Sequence, residues 1–452
     1  MNDQFVHLHS HTLFSVLDGI ASPRDYHEKA TERGWPAVAI TEHMNLASIP
    51  DSYFCQREFG TKAIFGVELY FNDYHFKLME LLKGGYKIRA ARQSDDWQEV
   101  DLANRMARNR HLTVLCKNEQ GYRNLLRIMQ MAWEKGFYYR PRAWWDLLIG
   151  HREGLIILSG CLNGPISYEL REYLQARQEY QATGERQWQQ RAETHLRLAV
   201  QWHQKFRRTF GDDYYVELQM PGVPGDVDVF RKLVELAEAD HCKMVVSNDS
   251  HYLVSADFEI QKLMMAIDQG TTVDDPNLFH VNSDRQFYKT RAELRKTFQD
   301  GGYMNVCDSS IFEQACDNTL EVADKVQPIT FNSDPKLPQI EQDADKLRKL
   351  CAQMLYRKKL NHDKRYVDRL KLELKRIIEK GFASYFLITK DLIDYSRSIG
   401  YPTGPSRGSC GGCLIAYLLR ITEIDPLRWG LSFDRFLSPS RGGIMLKVTM
   451  ND

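Results

Sequence analysis

Phe5-Val6-His7-Leu8-His9-Ser10-His11 is a short apolar run interleaved with side chains that bind metal ions. Six further runs repeat the pattern. They are Ala37-Val38-Ala39-Ile40-Thr41-Glu42-His43, Ala63-Ile64-Phe65-Gly66-Val67-Glu68, Arg110-His111-Leu112-Thr113-Val114-Leu115, Gly154-Leu155-Ile156-Ile157-Leu158-Ser159-Gly160-Cys161, Tyr214-Tyr215-Val216-Glu217 and Lys243-Met244-Val245-Val246-Ser247-Asn248-Asp249-Ser250-His251. Short apolar runs bounded by turn residues read as buried parallel strands. In barrels of such strands, reactive side chains gather at the carboxyl ends. Most of the donors here lie at or just past the end of their run; His111 starts its own.

Helix signals fill the gaps. Ser22-Pro23-Arg24-Asp25 is a helix start, with Ser22 as cap and Pro23 in the first turn, and Gly34 ends that helix. Residues 102–109 and 121–133 read as helices flanking the fourth run, and 182–208 as a long solvated helix without visible chemistry. The alternation implies an α/β sheet or barrel covered by helices.

The chain has 452 residues, enough for two or three domains. Charged residues make up 27% and apolar ones 43%, an ordinary globular composition. Net charge is zero, so any nucleic-acid surface must be local. No run approaches the roughly 18 apolar residues of a membrane span, and Met1-Asn2-Asp3-Gln4 is unlike a signal peptide. Nine scattered cysteines, an odd number, favour reduced thiols and a cytoplasmic protein over a disulfide framework.

Pro328, Pro335 and Pro338 mark a linker near 328–342, and composition shifts after it. Thirteen Lys or Arg face five Asp or Glu between Asp345 and Lys380. Leu347, Leu350, Met354 and Leu355, then Leu370, Leu374, Ile377 and Ile378, recur at helical spacing. A basic amphipathic helix is most simply a solvated face. The sequence that follows favours contact with phosphates instead.

His9 and His11 point to one side of a strand, as do Asp249 and His251. Asp18, His43, Glu68, His111 and Cys161 add nitrogen, oxygen and sulfur donors. The set exceeds the four ligands of one zinc, so two or three divalent ions are expected, with Zn, Mn or Fe as candidates. Neighbouring ions activate water and stabilise a leaving oxygen, which suits phosphodiester hydrolysis. His7 sits one step too early and is assigned to support; Glu217 is assigned to pairing with a nearby base.

These residues carry a resemblance. His7-Leu8-His9-Ser10-His11-Thr12, Ser15-Val16-Leu17-Asp18-Gly19, Thr41-Glu42-His43, Gly66-Val67-Glu68 and Asn248-Asp249-Ser250-His251-Tyr252-Leu253 resemble the PHP (polymerase and histidinol phosphatase) domain of bacterial replicative DNA polymerase III alpha subunits, the C-family. The resemblance implies a seven-stranded (β/α)7 barrel and a 3′-5′ exonuclease centre. The nine ligands of active members fall on His9, His11, Asp18, His43, Glu68, His111, Cys161, Asp249 and His251, with Glu68, Asp249 and His251 assigned to catalysis. Glu42 departs from the family's usual Asp.

The second half is similar to the start of the C-family palm, a DNA polymerase beta-like nucleotidyltransferase fold. Gly381-Phe382-Ala383-Ser384-Tyr385-Phe386 leads to Gly404-Pro405-Ser406-Arg407-Gly408-Ser409, then to Phe433-Asp434-Arg435-Phe436-Leu437-Ser438-Pro439. Gly404, Arg407, Gly408 and Ser409 are the candidates for holding the triphosphate of a dNTP. Cys410 and Cys413 form a C-x-x-C without a second pair, so zinc or redox duty is not assigned to them. The resemblance divides the chain into a PHP domain at 1–285, a connecting segment at 286–342 and the first part of the palm at 343–452.

The family's Pro-Asp-x-Asp-x-Asp-Phe segment, whose aspartates bind the two Mg ions of nucleotide addition, does not follow Pro439. Residues 444–452 alternate like a strand instead, and Asp452 does not replace the pair. The reading is therefore the amino-terminal portion of a replicative polymerase. Its partners would be primer-template DNA, a second polypeptide completing the palm, and through it a sliding clamp. A free-standing PHP phosphoesterase with a vestigial palm, and a metal-stabilised scaffold, are the alternatives.

Overall fold

The apolar runs form strands because they are rich in β-branched and aromatic residues and are covered on both faces. The computed structural model describes residues 3–276, 278, 284–331, 338–406 and 408–438. Six strands form one sheet in sequence order. They are β1 (Ala37–Ile40), β2 (Lys62–Phe71), β3 (Arg110–Cys116), β4 (Leu155–Leu158), β5 (Tyr214–Leu218) and β6 (Met244–Val246). Nearly every strand residue is buried, as expected of a sheet without a wet face.

The all-parallel expectation needs correction at one strand. β3 runs antiparallel to both β2 and β4, while the other pairings are parallel. An apolar run does not encode its direction, so the reversal was invisible in sequence. It also explains why His111 starts its run. The first residues of a reversed strand lie where the last residues of its neighbours lie, so His111 joins the other donors at one end of the sheet.

The first run forms no regular strand, yet it bonds to both ends of the sheet. On one side Ala39 N donates to His7 O at 3.3 Å and Thr41 N to Ser10 O at 2.8 Å. On the other, Ser250 N donates to His9 O at 3.2 Å and His11 N to Ser250 O at 2.7 Å. Val6 and Leu8 share one core cluster with Ala37, Ile64, Leu115, Ile156, Tyr215 and Val245.

Helices cover this core. Pro23–Glu32 starts as its sequence predicts, with Ser22 and Asp25 forming a reciprocal capping box. The helix Ser309–Lys325 adds Val322 and Ala323 to the same core cluster. Its carbonyls at Ala323 and Val326 (the latter just beyond its end) accept from Lys62 Nζ at 2.8 and 3.1 Å. Lys62 begins β2, so this helix lies at the end of the sheet away from the donors. The nine cysteines are all free. Among the described residues no helix is long and apolar enough to cross a membrane.

The chain separates into two compact units, residues 1–330 and 331–452. In the second, the helices Asp343–Arg357, Lys364–Glu379, Ala383–Ser398 and Leu414–Leu418 pack around Leu347, Leu355, Leu370, Ile377, Leu414 and Phe433. The predicted apolar spacing is the one that faces inward. Lys346, Arg348, Lys349, Lys364, Arg365, Lys371 and Lys375 stay exposed. The strand expected at 444–452 lies outside the described residues.

Candidate metal centre

Glu68, near the middle of β2, is fully buried, and its carboxylate oxygens meet donors from four other segments. His43 Nδ1 is 2.5 Å from its Oε2, and His111 Nδ1 is 2.9 Å from its Oε1. His9 Nε2 and His11 Nε2 lie 3.4 and 3.7 Å away. The Cys161 thiol is 3.5 Å from Oε1. Asp249 Oδ1 bridges His9 Nε2 at 3.3 Å and His11 Nε2 at 3.2 Å. Asp18 Oδ2 lies 2.8 Å from His43 Nε2 and 3.4 Å from His251 Nε2. The structure thus brings all nine sequence-predicted donors into one cluster. Three overlapping triads within it have ligand atoms close enough to share an ion.

The outer atoms of the histidine rings explain why the inner ones face the centre. Glu217 accepts at 2.7 Å from His9 Nδ1 and is itself held by Thr113 Oγ1, the Gly160 amide, Gln219 and Ser247. Ser15 Oγ donates to Glu42 Oε2 at 2.5 Å, so its lone pair is left to accept from His11 Nδ1 at 2.9 Å. His251 Nδ1 donates to the Asp249 carbonyl at 2.7 Å. In each ring a proton is fixed on the outer nitrogen, which leaves Nε2 to face the centre. A hydrogen bond to the far ring nitrogen is how ligand histidines are oriented. Glu42 has a structural part here: it accepts from Thr12 N and Oγ1 and fastens the turn that carries Ser15.

Several inward atoms, His9 Nε2, His11 Nε2, His43 Nδ1, Glu68 Oε2 and Asp249 Oδ1, are buried and face one another without well-formed hydrogen bonds. Native interiors rarely leave polar atoms so, and an orphaned group asks for an explanation. Five such atoms converging from different segments fit divalent cations.

The electrostatics agree. Burial opposes charge on Glu68, yet His111 and His43 hold its carboxyl well below the usual carboxylate range. Burial likewise opposes charge on His251, but Asp18 and Asp249 lift it to about 9. His11 is pushed down to about 3 by burial and by the neighbouring His43 and His251. Burial, with Glu68 and Asp249 nearby, pushes the Cys161 thiol well up. Protons here occupy places that cations would take, so binding should release them.

Local backbone is bent to deliver these groups. Asp249 itself has φ +47°, and Leu17 and Met44, beside Asp18 and His43, have φ +63° and +50°. Left-handed conformations at non-glycine residues are costly and cluster at functional sites. Gly160, with φ +87°, admits no side chain, since a Cβ would sit 2.1 Å from the His111 carbonyl oxygen.

His7 does not join the cluster. Its Nε2 lies 2.7 Å from the Lys289 carbonyl oxygen and its ring packs against Trp35 and Tyr288. Sequence reasoning missed Ser15, Thr113, Gln219 and Ser247. A polar Thr two residues from His111 on an apolar run was the available signal.

In the second unit, Gly404, Gly408 and Ser409 lie exposed, and Arg407 lies outside the described residues. The amides that start the helix Leu414–Leu418 are already taken. Leu414 N and Ile415 N donate to buried Glu373 at 3.0 and 2.9 Å. Cys413 is a buried cap whose sulfur accepts from Ala416 N.

Residues 7–221 match the family model of the PHP domain, and residues 345–444 that of the bacterial DNA polymerase III alpha NTPase domain. The DNA polymerase III subunit alpha of Aquifex aeolicus is 33% identical across 98% of this chain and 35% of its own length. Those of Helicobacter pylori and Borreliella burgdorferi are 30% and 32% identical, each across 97% of this chain and 34% of the relative. The chain spans about a third of the length of these relatives.

Proposed function

We propose, on the premise that this chain belongs to the DNA polymerase III alpha family, that its first unit is a metal-dependent 3′-5′ exonuclease and its second begins the polymerase domain. The observation that carries the first part is the set of buried donor atoms that converge around Glu68 without well-formed hydrogen bonds. His9, His11, Asp18, His43, Glu68, His111, Cys161, Asp249 and His251 would hold two or three divalent ions, with Zn, Mn or Fe suited to the mixed donor set. Such ions supply an activated water and charge stabilisation at a phosphodiester.

The chain's own residues do the rest. Glu217, Ser15 and the Asp249 carbonyl fix the imidazole tautomers, so no ring reorients during turnover. Asp249, at the junction of the His9 and His11 sides, and Glu68, at the centre of the set, carry the negative charge that gathers the ions. The sheet, extended by the first run bonded to both of its ends, is read as the closed seven-element barrel expected of a PHP domain.

The domain assignment follows: 1–285 for the PHP domain, 286–342 connecting, and 343–452 for the first part of the palm. Nucleotide addition, with its Mg ions, dNTP, primer-template and clamp, is assigned to the palm together with polypeptide carrying the Asp-x-Asp segment. Gly404, Arg407, Gly408 and Ser409 are its proposed triphosphate contacts.

The test is hydrolysis of a 3′-labelled single strand by the metal-reconstituted chain. Release of mononucleotides from the 3′ end supports the exonuclease. Bound metal with no hydrolysis would leave a scaffold and defeat the proposal.

A further inference from the structure

A cleft of about 520 Å³ opens onto the centre, and Asp18, His43 and His111 line it. The same cleft is lined by Trp133, Phe137 and Tyr139, together with Arg140. These aromatics are exposed by 54%, 50% and 84%. Grouped beside a buried polar cluster, they need a reason that scattered surface aromatics do not.

They are also held on a fixed frame. Trp133 is exposed in the last turn of the helix Glu119–Lys135, and its ring stacks on Phe137 with centroids 5.7 Å apart and planes at 25°. Tyr139 sits at φ +57° at the tip of a tight turn closed by Tyr138 N donating to Arg140 O at 3.0 Å. Gly136 lets the turn approach, since a Cβ there would lie 2.0 Å from the Arg142 carbonyl oxygen. Buried Arg142 donates to the Met106 and Ala107 carbonyls at 3.0 and 2.8 Å. Ala143 then bonds Tyr70 and Asn72 through its backbone. A bulky residue kept in a left-handed conformation on such an anchored turn marks a shape maintained for a purpose.

Flat aromatic faces with a cation, next to phosphate chemistry, are the means by which single-stranded nucleic acid is held. Asp18 and Asp268 also line the cleft, so Arg140 is the one Lys or Arg among the described residues lining it that a phosphate can meet. A base in a duplex is already stacked and paired, and reaching these rings would mean unpairing it. We propose that this cleft seats the unpaired 3′-terminal nucleotides of a DNA strand, with bases on Trp133–Phe137 and Tyr139 and a phosphate on Arg140. Selection for unpaired ends then resides in these four residues. The inference rests on the nuclease reading above and adds the residues that choose the substrate.

The probe is an oligodeoxythymidylate carrying 2-aminopurine at its 3′ end, added to the full chain in chelator so that nothing is cut. Stacking quenches 2-aminopurine, so the signal reports the terminal base and not strand bound elsewhere. Quenching is expected with the single strand and not with the same end in a blunt duplex. Trp133→Ala and Tyr139→Ala should each weaken it about tenfold. Arg140→Ala should reduce the salt slope of binding by about 0.7. All three side chains are exposed, so unchanged melting and metal content are expected of the variants. Absent quenching, or quenching unchanged in both aromatic variants, overturns the proposal and leaves the aromatics to a protein partner. Variant-sensitive quenching without hydrolysis on metal addition would sink the nuclease reading alone. Hydrolysis with KM unchanged in the aromatic variants would sink this inference alone.

Discussion

Glu68 in the first unit and Glu373 in the second are both fully buried carboxylates, and their surroundings are opposite. Glu373 meets proton donors: two backbone amides, the Cys413 thiol and Arg369 Nε at 2.7 Å. Burial raises its carboxyl above the usual value, and those donors partly offset the rise. Glu68 instead faces imidazole nitrogens and a thiol, groups that ligate metal once their protons are gone, and one of its oxygens has no hydrogen-bond partner. A buried carboxylate surrounded by donors ties elements together. One surrounded by imidazoles, a thiol and a second carboxylate is built for a cation that displaces their protons. The same residue type at the same burial thus has two roles, told apart by the polarity of its neighbours.

The comparison can be broken most severely at the first site. Asp249→Ala with His251→Ala should lower exonuclease turnover by a factor on the order of 10³ or more. Metal content should drop with it while far-ultraviolet dichroism stays near that of the parent. An unchanged rate would assign the activity to another site or a contaminant.

At the second site the loss should be in stability and not in metal. Glu373→Ala leaves two amides, the Cys413 thiol and Arg369 Nε without their acceptor, at a cost of about 3 kcal/mol. Denaturant unfolding should show the second unit weakened, with ion content and hydrolysis intact. A metal loss in this variant would remove the contrast between the two carboxylates.

Chelation should act on one unit only. Removing an ion present at about 100 times its Kd removes about 2.7 kcal/mol from the folded state. The transition of the first unit should therefore fall in temperature, and that of the second should not move.

The smallest expected effect sharpens the account of the ring orientations. Glu217→Gln keeps shape but weakens the grip on His9 Nδ1, and metal affinity should fall about 10- to 100-fold. Titration against a competing chelator measures it. Unaltered affinity would mean that Glu217 only packs.

Much of this site was legible because its residue types are chemically distinctive. His9, His11 and His43 end apolar runs, and that position alone places them at one end of a sheet. The reversal of β3 was not legible, since Leu112-Thr113-Val114-Leu115 reads the same in either direction; only the misplaced His111 hinted at it. Ser15 and Ser247 were missed because a serine is common in any loop, and its part emerges only when the Glu42 or Glu217 carboxylate is brought beside it. Phe137-Tyr138-Tyr139-Arg140 drew no reading from the sequence, because its place beside His43 depends on pairing of Ala143 with β2 far back in the chain. In the second unit the helical spacing of Leu347 to Ile378 marked the core directly, whereas Glu373 looked like one more surface charge among the lysines.

Elemental analysis of the dialysed chain, beside the Asp249→Ala/His251→Ala variant, tests the central claim most directly. Two or three zinc, manganese or iron ions per parent chain, lost in the variant, is the predicted result. Fewer than one ion per parent chain would contradict it.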